Sequence, residues 1–309
     1  MMKKVIVIGG TGHIGRFLTP MLVKAGYEVI VITRGQTTLL EVDAWKSVKL
    51  VNANYRRDDS GWQDILAGIK AEVIIDIIGA DLGSLYNTAR DHCQHLIACG
   101  SVWMFGEPKV VPTPDETQGP CRFEGYAWRY AEMLKVKEQA VKDGICFSAI
   151  MPPNICGPGK IPLETMGGRD IEVHRALKEG KQVTLPAPGS TLVGPCDAED
   201  IANAFVLAVN NRDAANGEIF NVGSAYALTT KQLVHTYGRI YGVDIPVHWV
   251  DWQEYITDIS PSSGAYSHFE YNMCPDITKI RHKLGYQPKY TSEETLSRAV
   301  DWMKEQKLI

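Results

Sequence analysis

The sequence predicts an α/β chain: a doubly wound parallel sheet with a smaller, interleaved C-terminal α+β lobe. Three observations carry this expectation. Short, nearly continuous β-branched runs recur through the first half, at Lys4–Ile8, Glu28–Thr33, Val48–Asn52, Val73–Ile77, His95–Ala98 and Cys146–Met151. Stretches of helical period separate most of them, among them Ile14–Ala25, Ser84–His92 and Tyr126–Asp143. A glycine-rich turn joins the first strand to the first helix. Strands without polar alternation, spaced by helices, belong to a parallel sheet covered on both faces.

From Asn154 onward Pro, Gly and shorter helical stretches dominate. Helices are expected near Ala198–Asn210, Thr230–Tyr241 and Ser292–Glu305, with a strand near Glu218–Val222. The division that follows is a sheet domain over 1–155, to which 196–225 returns, and a substrate lobe made of 156–195 and 226–309.

Bulk properties narrow the function. The chain has 309 residues and a formal net charge of −4, so a nucleic-acid backbone is not the expected partner. No apolar run approaches the roughly 20 residues that span a bilayer, and Val5–Ile8 is too short for a signal-peptide core. Seven scattered cysteines without a CxxC pair fit a reduced, cytoplasmic compartment. His92, Cys93 and His95 cluster possible ligands, but nothing nearby completes a metal site, and none is expected.

The turn Gly9-Gly10-Thr11-Gly12-His13-Ile14-Gly15 follows a strand and opens a helix. Glycine lets the backbone bend tightly and approach a pyrophosphate, while the helix N-terminus offers N–H donors and a positive dipole end. This is the Rossmann context for a nicotinamide dinucleotide. The second strand ends in Thr33-Arg34-Gly35. An acidic residue there would bind the ribose 2′-OH of NAD; Arg34 instead offers a cation to a 2′-phosphate. NADP is therefore favoured over NAD, the alternative being that Arg34 faces solvent beside a plain ribose.

Several further motifs, in order, make the chain resemble the extended short-chain dehydrogenase/reductase family, the NAD-dependent epimerase/dehydratase group. Gly9-x-x-Gly12-x-x-Gly15 is similar to its cofactor turn, and Ala53–Asp58 to its adenine-side segment, with Asn54 for the usual Asp. Gly100–Gly106 resembles "SSxxVYG", Pro152–Gly159 "RPxNVYGPG", and Cys196–Ala202 "VHVDDVA". Gly217–Gly223 resembles "GExYNVG", and Lys283–Pro288 followed by Trp302 the C-terminal "LGWxP…W". The resemblance implies a cofactor site of Gly9, Thr11, Gly12, His13, Ile14, Gly15, Arg34, Asn54, Ile78, Gly79, Pro152 and Asn154. It also implies a small-molecule substrate and a homodimer.

The family's chemistry uses a tyrosine that gives or takes a proton while hydride moves to or from the nicotinamide. A free phenol has a pKa near about 10, so a lysine one helical turn later assists by favouring the phenolate. Ser101 and Tyr126 occupy the serine and tyrosine positions, but the lysine position holds Tyr130. Lys135 is half a turn out of phase with Tyr126, and Lys137 too far along the axis. Arg129, three residues on from Tyr126, is the nearest cation on a similar face; Tyr130 is either the working acid or a packing residue.

The expected catalytic set is thus Ser101, Tyr126, Arg129 and Tyr130, in an epimerase, dehydratase or reductase with an altered proton relay acting on a sugar-like molecule. A non-catalytic, cofactor-dependent regulatory protein is the alternative. RNA binding, known for atypical chloroplast stem-loop relatives, fits least. The Arg that clamps a substrate diphosphate in the family falls on Val193, which weakens a nucleotide-sugar reading. Arg169 and Arg175 are candidates to compensate, although both fit a solvated helix face. Trp103, Phe123, Tyr126 and Trp128 are candidates for the nicotinamide end. Asp200 is expected to cap the helix beginning at Ile201.

Overall fold

The computed structural model describes residues 3–36 and 42–309. Seven strands form one parallel sheet: β1 (Lys4–Ile8), β2 (Glu28–Thr33), β3 (Lys49–Asn52), β4 (Val73–Asp76), β5 (His95–Cys99), β6 (Cys146–Met151) and, much later in the chain, β11 (Glu218–Asn221). Their spatial order is β11-β6-β5-β4-β1-β2-β3. The doubly wound α/β expectation is met, because these runs are apolar on both faces. Ile6, Ile8, Ile30, Ile32 and Ile74 pack to one side with Trp62, Leu85, Met133 and Phe147. Val5, Val7, Val29, Val31 and Ile75 pack to the other with Leu18, Leu22, Phe205 and Tyr286. That is strand alternation with both faces buried.

Helices α1 (Gly15–Lys24), α2 (Gly61–Ala67), α3 (Leu82–Ala89), α4 (Glu124–Asp143) and α6 (Ala198–Asn210) flank the sheet, with the short α7 (Arg212–Ala215) after α6. Strand order reverses between β1 and β4, which opens a crevice at the carboxyl ends of the strands.

Helix α11 (Thr278–Leu284) packs on the sheet beside β11 and α6, while a second cluster gathers β7 (Asn154–Cys156), α5 (Ile171–Lys178), β8 (Val183–Pro186), β9 (Leu192–Val193), β10 (Pro195–Asp197), β12 (Leu228–Thr229), α8 (Thr230–Tyr241), β13 (Val247–Val250), α9 (Trp252–Glu254), α10 (Ser263–Glu270) and α12 (Ser292–Glu305). Its strands pair only two at a time, β7 with β10, β9 with β12 and β8 with β13. Leu177, Leu233, Tyr237, Phe269, Val300 and Met303 make a separate core there.

Two local expectations are corrected. β4 stops at Asp76 rather than Ile77, because the Asp76 carboxylate accepts from the amides of Ile78 (2.9 Å) and Gly79 (2.8 Å) and turns the chain. The cap of α6 is Asp197, whose Oδ1 accepts from the Glu199 amide at 2.9 Å. Asp200 lies inside the helix and accepts instead from the amides of Lys289 (2.9 Å) and Tyr290 (3.1 Å), tying the C-terminal segment to α6.

Candidate active site

The glycine turn is shaped by contacts a side chain would prevent. Gly9 has φ +83°, and its amide donates to Ile32 O at 3.1 Å. A Cβ on Gly15 would fall inside contact distance of the Gly9 and Gly10 backbone, so only glycine lets α1 start this close to the turn. Thr11 Oγ1 meets Thr33 Oγ1 at 2.9 Å, which joins the turn to the end of β2. No side chain among the described residues caps α1 and no acid occupies its first turn; the Arg16 and Phe17 amides bond to Gly12 O and Ile14 O, so the amides before them and the positive dipole end are left for an anionic ligand. These features fit a dinucleotide pyrophosphate.

At the carboxyl end of the sheet lies a cavity of about 520 Å³. Of the residues expected at the site, His13, Ile14, Ile78, Ser101, Tyr126, Arg129, Pro152 and Asn154 all line it. Gly79 stands beside it at φ +61°, with Arg129 packed where a Cβ would be. Ser101 sits at the end of β5 with Oγ accepting from the Trp103 amide at 3.4 Å, so its hydroxyl proton stays available. Tyr126 is in the first turn of α4, edge-on to Phe123 (6.2 Å, 83°). Trp103 meets Phe123 (5.6 Å) and His268 (5.3 Å) edge-on, so one wall is aromatic.

The glycine turn's Gly9, Thr11, Gly12 and Gly15 lie outside this cavity's lining, and so do Tyr130, Asn54, Arg34 and Trp128. Tyr130 is edge-on to Phe105 (5.6 Å, 89°) with its hydroxyl 3.2 Å from Thr117 Oγ1, a packing position and not that of a working acid. Asn54 donates to Asp59 Oδ2 at 2.9 Å, and Arg34 is exposed beyond β2. Arg129 is committed elsewhere too: Nη2 donates to Ile78 O at 2.8 Å, so it braces the loop after β4. Trp128 is exposed under the Arg57 guanidinium (3.7 Å), away from the aromatic wall.

Other residues complete the cavity without a motif to announce them: Cys99, Lys160, Arg169 and His268. Arg169 does not sit on a solvated helix face. It precedes α5, and its guanidinium turns inward to Ile161 O (2.7 Å) and Ile155 O (2.9 Å). Arg175 does lie on the exposed face, bonded to Glu172 and Leu308 O. Val193 is fully buried in the second core.

Burial and the cations Lys160, Arg169 and Arg16 hold the His13 imidazole down to about 3, so it is neutral near pH 7. Its Nε2 lies 3.3 Å from Gly157 O. Burial, then Arg169, holds His268 down to about 4. Burial also pushes the Cys99 thiol up to about 12, which leaves it protonated and unreactive.

Comparison with known proteins agrees with the fold. Residues 83–223 match the model of the NAD dependent epimerase/dehydratase family, and residues 1–83 that of the NmrA-like family. The chain is 25% identical to the chloroplast stem-loop binding protein of 41 kDa b from Arabidopsis thaliana, covering 96% of this chain and 78% of that one. It is 23% identical to a UDP-glucose 4-epimerase from Lactobacillus helveticus, covering 97% of each. The fold superimposes on a UDP-glucose 4-epimerase from Thermotoga maritima solved with UDP-glucose, at a TM-score of 0.75 and 20% identity over 98% of this chain and 99% of that one. It also superimposes on the Bifidobacterium longum enzyme in complex with NAD+ and UDP, at a TM-score of 0.73 and 16% identity over 99% of each.

Proposed function

We propose that this chain, whose residues 83–223 match the NAD dependent epimerase/dehydratase family, is a nicotinamide-dependent epimerase, dehydratase or reductase acting on a sugar-like hydroxy or keto compound. The observation that carries the reading is the convergence of Ser101, Tyr126 and Asn154 with the glycine turn on one cavity at the strand-order reversal. A nicotinamide dinucleotide, when bound, supplies the hydride acceptor or donor. The uncapped amides of α1 hold its pyrophosphate, and Ile78 and Pro152 flank its nicotinamide end. Arg34 is the proposed partner of a 2′-phosphate, which favours NADP(H).

Ser101 donates its free hydroxyl proton to the substrate oxygen. Tyr126 moves the proton at that oxygen, with its ring held by Phe123. Arg129 does not replace the family's lysine at the phenol; it steadies the Ile78–Gly79 loop. Tyr130 packs. The relay is therefore Ser101–Tyr126, in a cavity whose cations are Arg129 on α4 and Lys160 and Arg169 in the loop after β7.

The test is turnover followed by nicotinamide absorbance over a panel of sugar and hydroxy/keto substrates. Tyr126→Phe should lower kcat by about 100-fold or more, while Tyr130→Phe leaves it unchanged. Equal effects of the two substitutions, or none from Tyr126→Phe, would end this assignment. A second reading, a cofactor-dependent binder without turnover, is favoured by the tyrosine at position 130 where the family carries its lysine. It predicts cofactor affinity with no absorbance change on any substrate.

A further inference from the structure

The cavity carries charge of one sign. Arg129, Lys160 and Arg169 line it beside His13 and His268, and no aspartate or glutamate does so among the described residues. The chain as a whole is acidic, at −4. Lys160 and Arg169 form no salt bridge within 4.0 Å among the described residues. Arg169 is fixed by its two backbone acceptors without being neutralised, and a guanidinium has more N–H donors than those bonds use. Glu164, in the same loop, turns a carboxylate oxygen to the Met166 amide, and burial pushes its carboxyl up.

The neighbours repel one another. Partial burial, then Arg169, push the Lys160 ammonium below its ordinary value; Lys160 and Arg169 add to burial in disfavouring a charge on His13, and Arg169 does so at His268. Like charges gathered without a counter-ion destabilise a fold, and a bound anion removes that cost. Unpartnered atoms point to a ligand independently. Asn154 is only 4% exposed, yet its Nδ2 donor has no partner, and neither does Nδ1 of His268. Both residues line this cavity, and buried polar atoms left without partners are uncommon in native structures.

We infer that Lys160 and Arg169 form a subsite for a phosphate monoester on the substrate, a sugar or polyol phosphate with no nucleoside. Size supports the absence of a nucleoside: about 520 Å³ is toward the lower end for small-molecule sites and must also admit the nicotinamide end of the cofactor. Val193, at the position of the family's diphosphate clamp, is buried and apolar. Calling the bound compound a substrate rests on the hydride-transfer reading above, but the test reads binding alone.

The test is calorimetric titration of the full chain, saturated with NADPH and separately with NADH, using inorganic phosphate, glucose 6-phosphate and UDP. Glucose 6-phosphate should bind and be competed by inorganic phosphate. Lys160→Ala and Arg169→Lys should each weaken it by about tenfold or more while cofactor affinity holds. Lys160 is exposed and its side chain makes no hydrogen bond among the described residues, so its variant keeps the fold even if the Arg169 variant does not. Failure of glucose 6-phosphate to bind, or unchanged affinity in Lys160→Ala, overturns the subsite. So does a matching fall in cofactor affinity, which would assign these cations to the dinucleotide. UDP binding about tenfold tighter than glucose 6-phosphate would replace the monoester by a nucleotide. Phosphate binding without any turnover would sink the hydride-transfer reading and leave the subsite standing.

Discussion

Asp76 should control both stability and cofactor affinity, although it is absent from the cavity wall. It ends β4 fully buried. One carboxylate oxygen accepts from the Ile78 and Gly79 amides, and the other from Tyr55 Oη at 2.8 Å. Tyr55 Oη in turn accepts from the Asp81 amide at 3.1 Å. Burial pushes the carboxyl up, and the amides and the phenol pull it back. Asp76→Ala orphans three donors. Hydrogen bonds to a charged group are worth about 1.5–3 kcal/mol each, offset by no longer burying a carboxylate, so the net loss should be about 3–5 kcal/mol. Asp76→Asn keeps an acceptor for both amides, and Tyr55 Oη can accept from the new amide, so its cost should be about 1 kcal/mol. Because Ile78 lines the cavity and Gly79 stands beside it, Asp76→Ala should also weaken NAD(P)H binding by about tenfold. Urea unfolding and cofactor fluorescence titration measure the two effects. Equal damage from Asn and Ala, or intact cofactor affinity in a destabilised Asp76→Ala protein, would refute the claim that this carboxylate holds the loop for the cofactor.

Three further outcomes follow from the same geometry. Gly15→Ala puts a Cβ into the Gly9–Gly10 backbone and should cost about 1–3 kcal/mol in stability together with most of the cofactor affinity, read by thermal unfolding and titration. Arg34→Ala should weaken NADPH by about tenfold and spare NADH; equal losses would remove the 2′-phosphate role. His174 is fully buried between Tyr241 Oη and Pro162 O, both at 3.1 Å, and burial holds it down from 6.5 to about 4. It stays neutral in the fold but gains a proton on unfolding as pH falls below 6.5, so its contribution is lost toward pH 4. The stability gap between wild type and His174→Asn should therefore narrow by up to about 3 kcal/mol over that range, and a constant gap in urea midpoints would contradict it.

The sheet could be read from sequence because its strands, apart from the exposed edge strand β3, are short apolar runs spaced by helices. β1, β2 and β6 begin and end where the β-branched pattern does. The second core was less legible for a physical reason. β9 and β12 have two residues each, and β8 reaches Pro186, so pairing there depends on tertiary contacts and not on a local period. Caps failed in the same way. Asp197 and Asp200 both precede Ile201 with plausible spacing, and only the position of Lys289 and Tyr290, far along the chain, decides which of them caps α6.

The site divides along a similar line. Residues on a motif at a strand end, such as Ser101 and Asn154, arrive at the cavity because strand ends in a parallel sheet share one edge. Lys160, Arg169 and His268 come from a loop and a short helix whose paths no spacing rule describes. Position 130 joins the two cases. Helical phase alone places residues 126, 129 and 130 on neighbouring faces, which made Arg129 the nearest cation to Tyr126 and left Tyr130 as either the working acid or a packing residue. The fold separates them: Tyr130 turns to Phe105 and Thr117, and Arg129 spends a donor on Ile78 O. Neither supplies the free compact ammonium that a lysine would. Beyond Arg129, the positive charge at the cavity comes from Lys160 and Arg169, in the segment between β7 and α5. A substitution that looks like a lost catalytic group in one helix is accompanied by cations from another part of the chain, which line the same cavity as the phenol without bonding to it.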